Sequence, residues 1–244
     1  MSKAPDKAAS KEAGTAKKGD GWKSNLLTIV GALLLALFIR VTLFEAFAID
    51  GPSMEPTLLD GDRVVVAKYP FGLFLPFTHE AVTNWGDPEP GDVIILHSPA
   101  DNEDIVKRVI GVGGDEILIR NGKIYRNDEV LETVELGPCG AEEQKNTDPT
   151  CRIYQETLDG TPHRISHSKH DFPLDRLPLK VPEGHVYVLG DHRDSSNDSR
   201  NPLIGAVPSS RVKGKALIIY MSWKNTRGSL SERIRWSRIG SSVE

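Results

Sequence analysis

Zinc-finger spacing, a surplus of positive charge, sustained helical periodicity outside one segment and a second long apolar run are all missing from this chain of 244 residues. The net charge of −4 gives no electrostatic basis for binding nucleic acid, and none is expected. Only two cysteines occur, Cys139 and Cys151, at a spacing that fits no zinc pattern. Gly111-Val112-Gly113-Gly114 lacks the third glycine and the following helix of a dinucleotide fingerprint, so it reads as a turn. Neither feature marks a metal or nucleotide site.

The one long apolar segment lies near the N-terminus. Residues 1–21 are mostly Ala, Lys, Gly and Ser, too poor in apolar mass to bury a core, which predicts a disordered tail. Leu26 to Ile39 then runs 14 residues without a charge. That is short of the roughly 20 that span a bilayer. Asn25 and the stretch through Phe44 supply the rest, with Arg40 snorkelling to the interface. A transmembrane helix is therefore expected over residues 22–44. Six lysines and three acids precede the apolar run, and no Lys or Arg lies between Arg40 and Arg63. This asymmetry puts the N-terminus in the cytoplasm and residues 45–244 outside. A cleavable leader is the rival reading, since Ala46-Phe47-Ala48 offers a small-x-small site, but the long run and extended basic leader favour a retained anchor. A buried helix is disfavoured because apolar residues cover every face. Outside the cytoplasm Cys139 and Cys151 are expected to close a short disulfide loop; a cytosolic chain would keep two free thiols.

Beyond the anchor, turn pairs such as Gly61-Asp62 and Gly91-Asp92 lead into Val64-Val65-Val66 and Val93-Ile94-Ile95-Leu96. Ile117-Leu118-Ile119, Val186-Tyr187-Val188-Leu189 and Ala216 to Tyr220 repeat the pattern, which is that of short strands. Asn121-Gly122 marks a two-residue hairpin. The fold expected is mostly β: a single N-terminal transmembrane helix, then an antiparallel sheet domain over 45–244. Its core is 45–126 and 184–244, and 127–183, acidic and rich in Pro and Gly, forms a less regular β insertion. The basic, aromatic segment Arg233 to Ile239 reads as a solvated edge strand, with contact to lipid headgroups as the second reading.

Ser53 stands between two prolines in Gly51-Pro52-Ser53-Met54-Glu55-Pro56-Thr57-Leu58, close to the membrane boundary. A serine hydroxyl needs a base to become a nucleophile. His163, His167 and His170 fall in a Pro-flanked polar stretch that reads as a solvated loop; His192 is the one histidine placed to compete for that task. Lysine serves only if desolvation removes its proton near neutral pH. Lys107 sits within Ile105-Val106-Lys107-Arg108-Val109-Ile110, on the strand face of Ile105 and Val109, which marks a functional candidate. A lysine snorkelling at a sheet edge is the plain alternative when the strand is taken alone. Residues 190–200 pack four carboxylate or amide groups, three serines and two arginines into eleven positions. That composition suits a solvated turn, or a hydrogen-bonded bracket around a buried amine.

Taken together, Ser53-Met54 with Pro56-Thr57-Leu58, Lys107-Arg108 with Gly111 and Gly114-Asp115, and Gly190-Asp191-x-Arg193 through Ser196-x-Asp198-Ser199-Arg200 resemble bacterial signal peptidase I, in family order from about Phe44 to Ala216. The resemblance implies a membrane-bound serine endopeptidase that removes signal peptides from exported preproteins after small-x-small sites, with no cofactor and no obligate protein partner. It implies Ser53 as nucleophile, Lys107 as general base, Ser196 as the residue orienting the lysine, and Asp198 with Arg200 as a supporting ion pair. It also implies Phe47, Ile49, Met54 and Val106 as substrate-binding positions. Two departures stand out. Gly51 occupies a position where some members carry a serine that helps hold the oxyanion, and loss of one such donor costs roughly 3 kcal/mol. His192 replaces a usual asparagine, and a structural role is expected of it. Rival readings are a self-cleaving repressor, which would carry a DNA-binding domain in front, a peptidase for pilus or conjugation substrates, and a non-enzymatic membrane-tethered β protein.

Overall fold

The computed structural model describes residues 21–74, 81–140, 149–168, 175–224 and 229–243. The tail over 1–20 and His170 lie outside them. Two compact units divide at Phe38/Ile39. The first is built around α1 (Gly21–Thr42), within which Trp22–Arg40 is long and apolar enough to cross a membrane. No residue of that 19-residue span is buried, and apolar residues lie on every face of the helix.

The second unit is β. In chain order its strands are β1 (Phe44–Ala48), β2 (Asp62–Ala67), β3 (Gly72–Phe74), β4 (Ala81–Asn84), β5 (Val93–His97), β6 (Asp104–Val112), β7 (Glu116–Arg120) and β8 (Lys123–Arg126). There follow β9 (Glu129–Val130), β10 (Glu132–Pro138), β11 (Cys151–Leu158), β12 (Thr161–Ser168), β13 (Arg176–Lys180), β14 (His185–Leu189), β15 (Val207–Pro208) and β16 (Val212–Ser222). An antiparallel sheet runs β1-β2-β16-β5-β6-β14-β15. Val93–Leu96 of β5 and Val186–Leu189 of β14 are continuous buried apolar runs, whereas β16 alternates between buried and more open positions. Ile49, Met54, Val64, Val93, Ile95 and Val106 share one core cluster, while Ile94, Leu96, Val109 and Val188 share another.

Three smaller sheets accompany this one among the described residues, one of them the two-stranded β3-β4. In the four-stranded sheet β13-β7-β8-β9, Asn121 and Gly122 both take positive φ (51° and 72°) between β7 and β8, the geometry an Asn-Gly hairpin supplies at little cost. The three-stranded sheet β10-β11-β12 keeps an unbroken register from Cys151↔Ser168 to Leu158↔Thr161. The stretch 127–183 thus contributes a whole sheet and two strands of another. Cys139 and Cys151 form a disulfide across 12 residues.

Two expectations need correction. The segment 233–239 is no edge strand: a short helix, α2 (Leu230–Arg233), leads into a single 3₁₀ turn over Trp236–Arg238. Arg235 donates to the carbonyls of Asp60 (3.1 Å) and Trp223 (2.8 Å), and Arg238 to the Thr57 carbonyl (2.8 Å) and the buried Asp62 carboxylate (2.6 Å). Its basic charge is therefore turned inward. Likewise His163 and His167 lie on β12, not in a solvated loop; Glu156 gives His163 a buried partner, and His167 stacks on Tyr154 at 4.1 Å.

Two stability effects follow. Replacing Cys151 by serine should remove roughly 3 kcal/mol of loop-closure stabilisation and lower the Tm by roughly 5–10 °C, read by calorimetry against the oxidised protein. Arg238→Gln strips Asp62 of its cation, and chemical denaturation should show a loss of about 3 kcal/mol.

Candidate active site

Ser53 is carried by the loop joining β1 to β2. Its neck is closed by Ile49 N–H on the Asp62 carbonyl (2.8 Å) and Gly61 N–H on the Ile49 carbonyl (2.9 Å). Within it Met54 and Leu58 drop into the core as apolar pegs, and a one-turn bond runs from Leu58 N–H to the Met54 carbonyl (2.9 Å). The serine is thereby held above a packed floor. Gly51 has φ of +89°, a left-handed conformation that excludes most side chains, and its N–H bonds the Asp60 carboxylate at 2.9 Å.

Lys107 reaches this serine from β6, between β5 and β14. It is 3% exposed. Its Nζ donates to Ser53 Oγ at 3.0 Å and to the Val106 carbonyl at 2.8 Å. Burial pushes its pKa down to about 8; the negative charges of Asp198 and Asp191 oppose the shift and Arg200 adds to it. An amine in that range exchanges its proton near neutral pH.

The loop after β14 forms the opposite wall. Asp198 accepts a fork from Arg200 (Nε and Nη2, both 2.7 Å) and the Gly190 N–H (3.0 Å). Ser196 Oγ is buried and, among the described residues, has no hydrogen bond. It lies against Gly190, where a β-carbon would overlap both Ser196 Oγ and the Ser53 carbonyl oxygen. His192 donates its backbone N–H to that same Ser53 carbonyl (3.1 Å), and its ring nitrogen Nδ1 stands 3.8 Å from Glu55 Oε2. Of the residues foreseen as a substrate pocket, Ile49, Met54 and Val106 are buried in one cluster and Phe47 packs half-buried against it.

Several residues of this site were given no role by the sequence. Arg108 forks onto Asp191 (Nε–Oδ1 2.9 Å, Nη2–Oδ2 2.8 Å), and Asp191 also accepts Thr57 Oγ1 at 2.5 Å. Burial alone would raise the Asp191 carboxyl, but Arg108 outweighs it and holds the group below its ordinary value. Arg193 is buried against Glu156 on β11. The signals available, the places of Thr57, Arg108, Asp191 and Arg193 in the matching motifs and the density of charge in 190–200, name no partner.

The profile described as "Signal peptidase, peptidase S26" matches residues 22–223. Proteins called signal peptidase I from Pseudomonas fluorescens and Rickettsia bellii are each 35% identical to the chain, the first covering 85% of it and 75% of its own length, the second 84% and 74%. A signal peptidase I of Pseudomonas aeruginosa is 34% identical, over 85% of this chain and 75% of that one. A peptidase by this relationship, the chain belongs to the signal peptidase family, peptidase S26.

Proposed function

We propose that the chain is a membrane-anchored serine endopeptidase that removes signal peptides from exported preproteins after small-x-small sites, with Ser53 as nucleophile and Lys107 as general base. The 3.0 Å hydrogen bond between the Lys107 amine and the Ser53 hydroxyl carries this reading. Once Lys107 is neutral the bond reverses, and the hydroxyl donates to the amine lone pair. Ser53 Oγ then attacks the scissile carbonyl as its proton passes to Nζ. The oxyanion is taken up by the Ser53 backbone N–H, a donor fixed in place before the charge develops. Lys107 protonates the leaving amine, and the neutral amine afterwards activates the water that releases the acyl group.

A neutral amine has two N–H bonds. The Val106 carbonyl accepts one. We assign the other to the Ser196 hydroxyl, whose burial without a partner supports that part. Asp198 and Arg200 brace the segment bearing Ser196. Phe47, Ile49 and Val106 line the surface for the small substrate side chains, with Met54 as the peg beneath. In this reading α1 spans the cytoplasmic membrane with the N-terminus inside, and residues 45–244 work on the outer side. Confinement with the substrate's own membrane segment raises its effective concentration.

Cleavage of a preprotein with an Ala-x-Ala site by the detergent-solubilised protein tests this. Ser53→Ala and Lys107→Ala should each lower kcat by a factor on the order of 10⁴ or more. Because protonated Lys107 is the inactive form, wild-type kcat/KM should climb tenfold per pH unit up to about 8 and level off above it. A controlling group titrating near 6.5 would sink the lysine assignment. Asp198→Asn removes an attraction that holds the proton on Lys107 and leaves Arg200 unopposed, so the inflection should move to lower pH. Its kcat should fall on the order of tenfold to a hundredfold as the segment loosens.

A further inference from the structure

The three-stranded sheet β10-β11-β12 holds buried charge that takes no part in proton transfer. Glu156 on β11 and His163 on β12 are register partners, and Arg193 reaches them from the loop after β14. Their side chains are 1%, 2% and 0% exposed. Arg193 donates Nη1 to Glu156 Oε1 (2.8 Å) and Nη2 to Oε2 (2.5 Å), and His163 Nε2 lies 3.1 Å from Oε2. Burial would raise the Glu156 carboxyl; the Arg193 charge and the hydrogen bonds from His163 and Arg193 outweigh that and hold it at about 2, so the carboxylate is ionised. Stability gives little reason to place such charges here, because apolar replacements of buried ion pairs are often neutral or better.

The remaining contacts lead to the serine. Arg193 Nε donates to the Gly190 carbonyl at 3.2 Å. Arg193 N–H bonds the Ser166 carbonyl (2.9 Å), Ser166 N–H bonds the Asp191 carbonyl (2.9 Å), and Ser166 Oγ bonds the Glu55 carbonyl (2.9 Å). The Asp194 carboxylate accepts from Ser168 N–H. Strand β12 is thus stitched both to the 190–194 segment and to the turn that carries Ser53. Gly190 is packed against Ser196 Oγ and the Ser53 carbonyl with no room for a β-carbon. The Gly190 backbone is thus wedged between the two serines' segments, and the Arg193 bond to its carbonyl bears on both.

We propose that Glu156 is a positioning residue for the peptidase reaction: by aiming Arg193 at the Gly190 carbonyl it sets the spacing between Ser196 and the Ser53 turn. The role falls to the Glu156–Arg193 pair, and through Ser166 to β12, not to the outer strand of the sheet. This rests on the Ser53–Lys107 reading above. Full-length protein in detergent is assayed on the same preprotein, with kcat and KM separated. Folding is followed by near-ultraviolet circular dichroism. Glu156→Gln should lower kcat on the order of tenfold to a hundredfold, since small misplacements cost that much, with KM within about twofold. Glu135→Gln, which breaks the outer pair with Arg152 on the same sheet, should leave both constants unchanged. If Glu156→Gln does not fold, Glu156→Gln/Arg193→Met decides: it leaves no orphan ion and should show the same loss of kcat. A folded variant of either kind with wild-type kcat overturns the proposal. Ser53→Ala in the same assay separates the two ideas. Cleavage that survives in Ser53→Ala refutes the nucleophile, whereas a dead Ser53→Ala beside a fully active Glu156→Gln refutes only the positioning.

Discussion

A lysine amine kept almost dry is the constraint around which the described β unit is arranged. Desolvation of a charged ammonium is unfavourable by several kcal/mol, and here it lowers the Lys107 pKa to about 8, with the charges of Asp198 and Asp191 offsetting part of the shift. Such burial demands rigid surroundings: Nζ must find a hydroxyl on one side and a carbonyl on another, or a neutral buried amine becomes an unsatisfied polar group. Strand β6, paired on both sides, supplies the lysine and the Val106 carbonyl together. The pegged loop from Ile49 to Asp62 supplies the serine.

Four arginines share a common way of holding these pieces. Arg108, Arg193, Arg200 and Arg238 each bind a carboxylate, of Asp191, Glu156, Asp198 and Asp62 respectively. Each also donates to a backbone carbonyl, of Gly91, Gly190, Ser196 and Thr57. A planar guanidinium has enough donors to do both, and the carboxylate fixes the direction in which the free donors point. Three of those four carbonyls lie in the segments around Ser53 and Ser196. Loops that regular strands cannot organise are therefore set by forks of charge.

Strand runs and the Asn-Gly hairpin were legible because they are local: β-branched residues between turn pairs, and a dipeptide that tolerates positive φ. The apolar helix was equally plain from composition. Lys107 stood out because an apolar strand run seldom carries a cation. That it meets Ser53, 54 residues earlier, came from a resemblance of motifs and not from periodicity. The partners of the arginines were illegible for a physical reason: an arginine in a polar stretch reads the same whether solvated or buried, and Arg193 and Glu156 are 37 positions apart, Arg238 and Asp62 176. The same ambiguity made His163 look like a loop residue, since alternation with polar neighbours hides a strand whose buried face is itself polar.

The inward turn of the segment after β16 bears on how the protein is made. The Thr57 carbonyl is gripped by a residue 181 positions later, and Val243 belongs to the same core cluster as Met54. A chain emerging from the ribosome has its apolar helix early and the serine soon after, but the loop around that serine stays unfinished until residues 238–243 have been synthesised. The loop around Ser53 is thus completed by contacts from a segment made long after it, whatever order the strands between them take up.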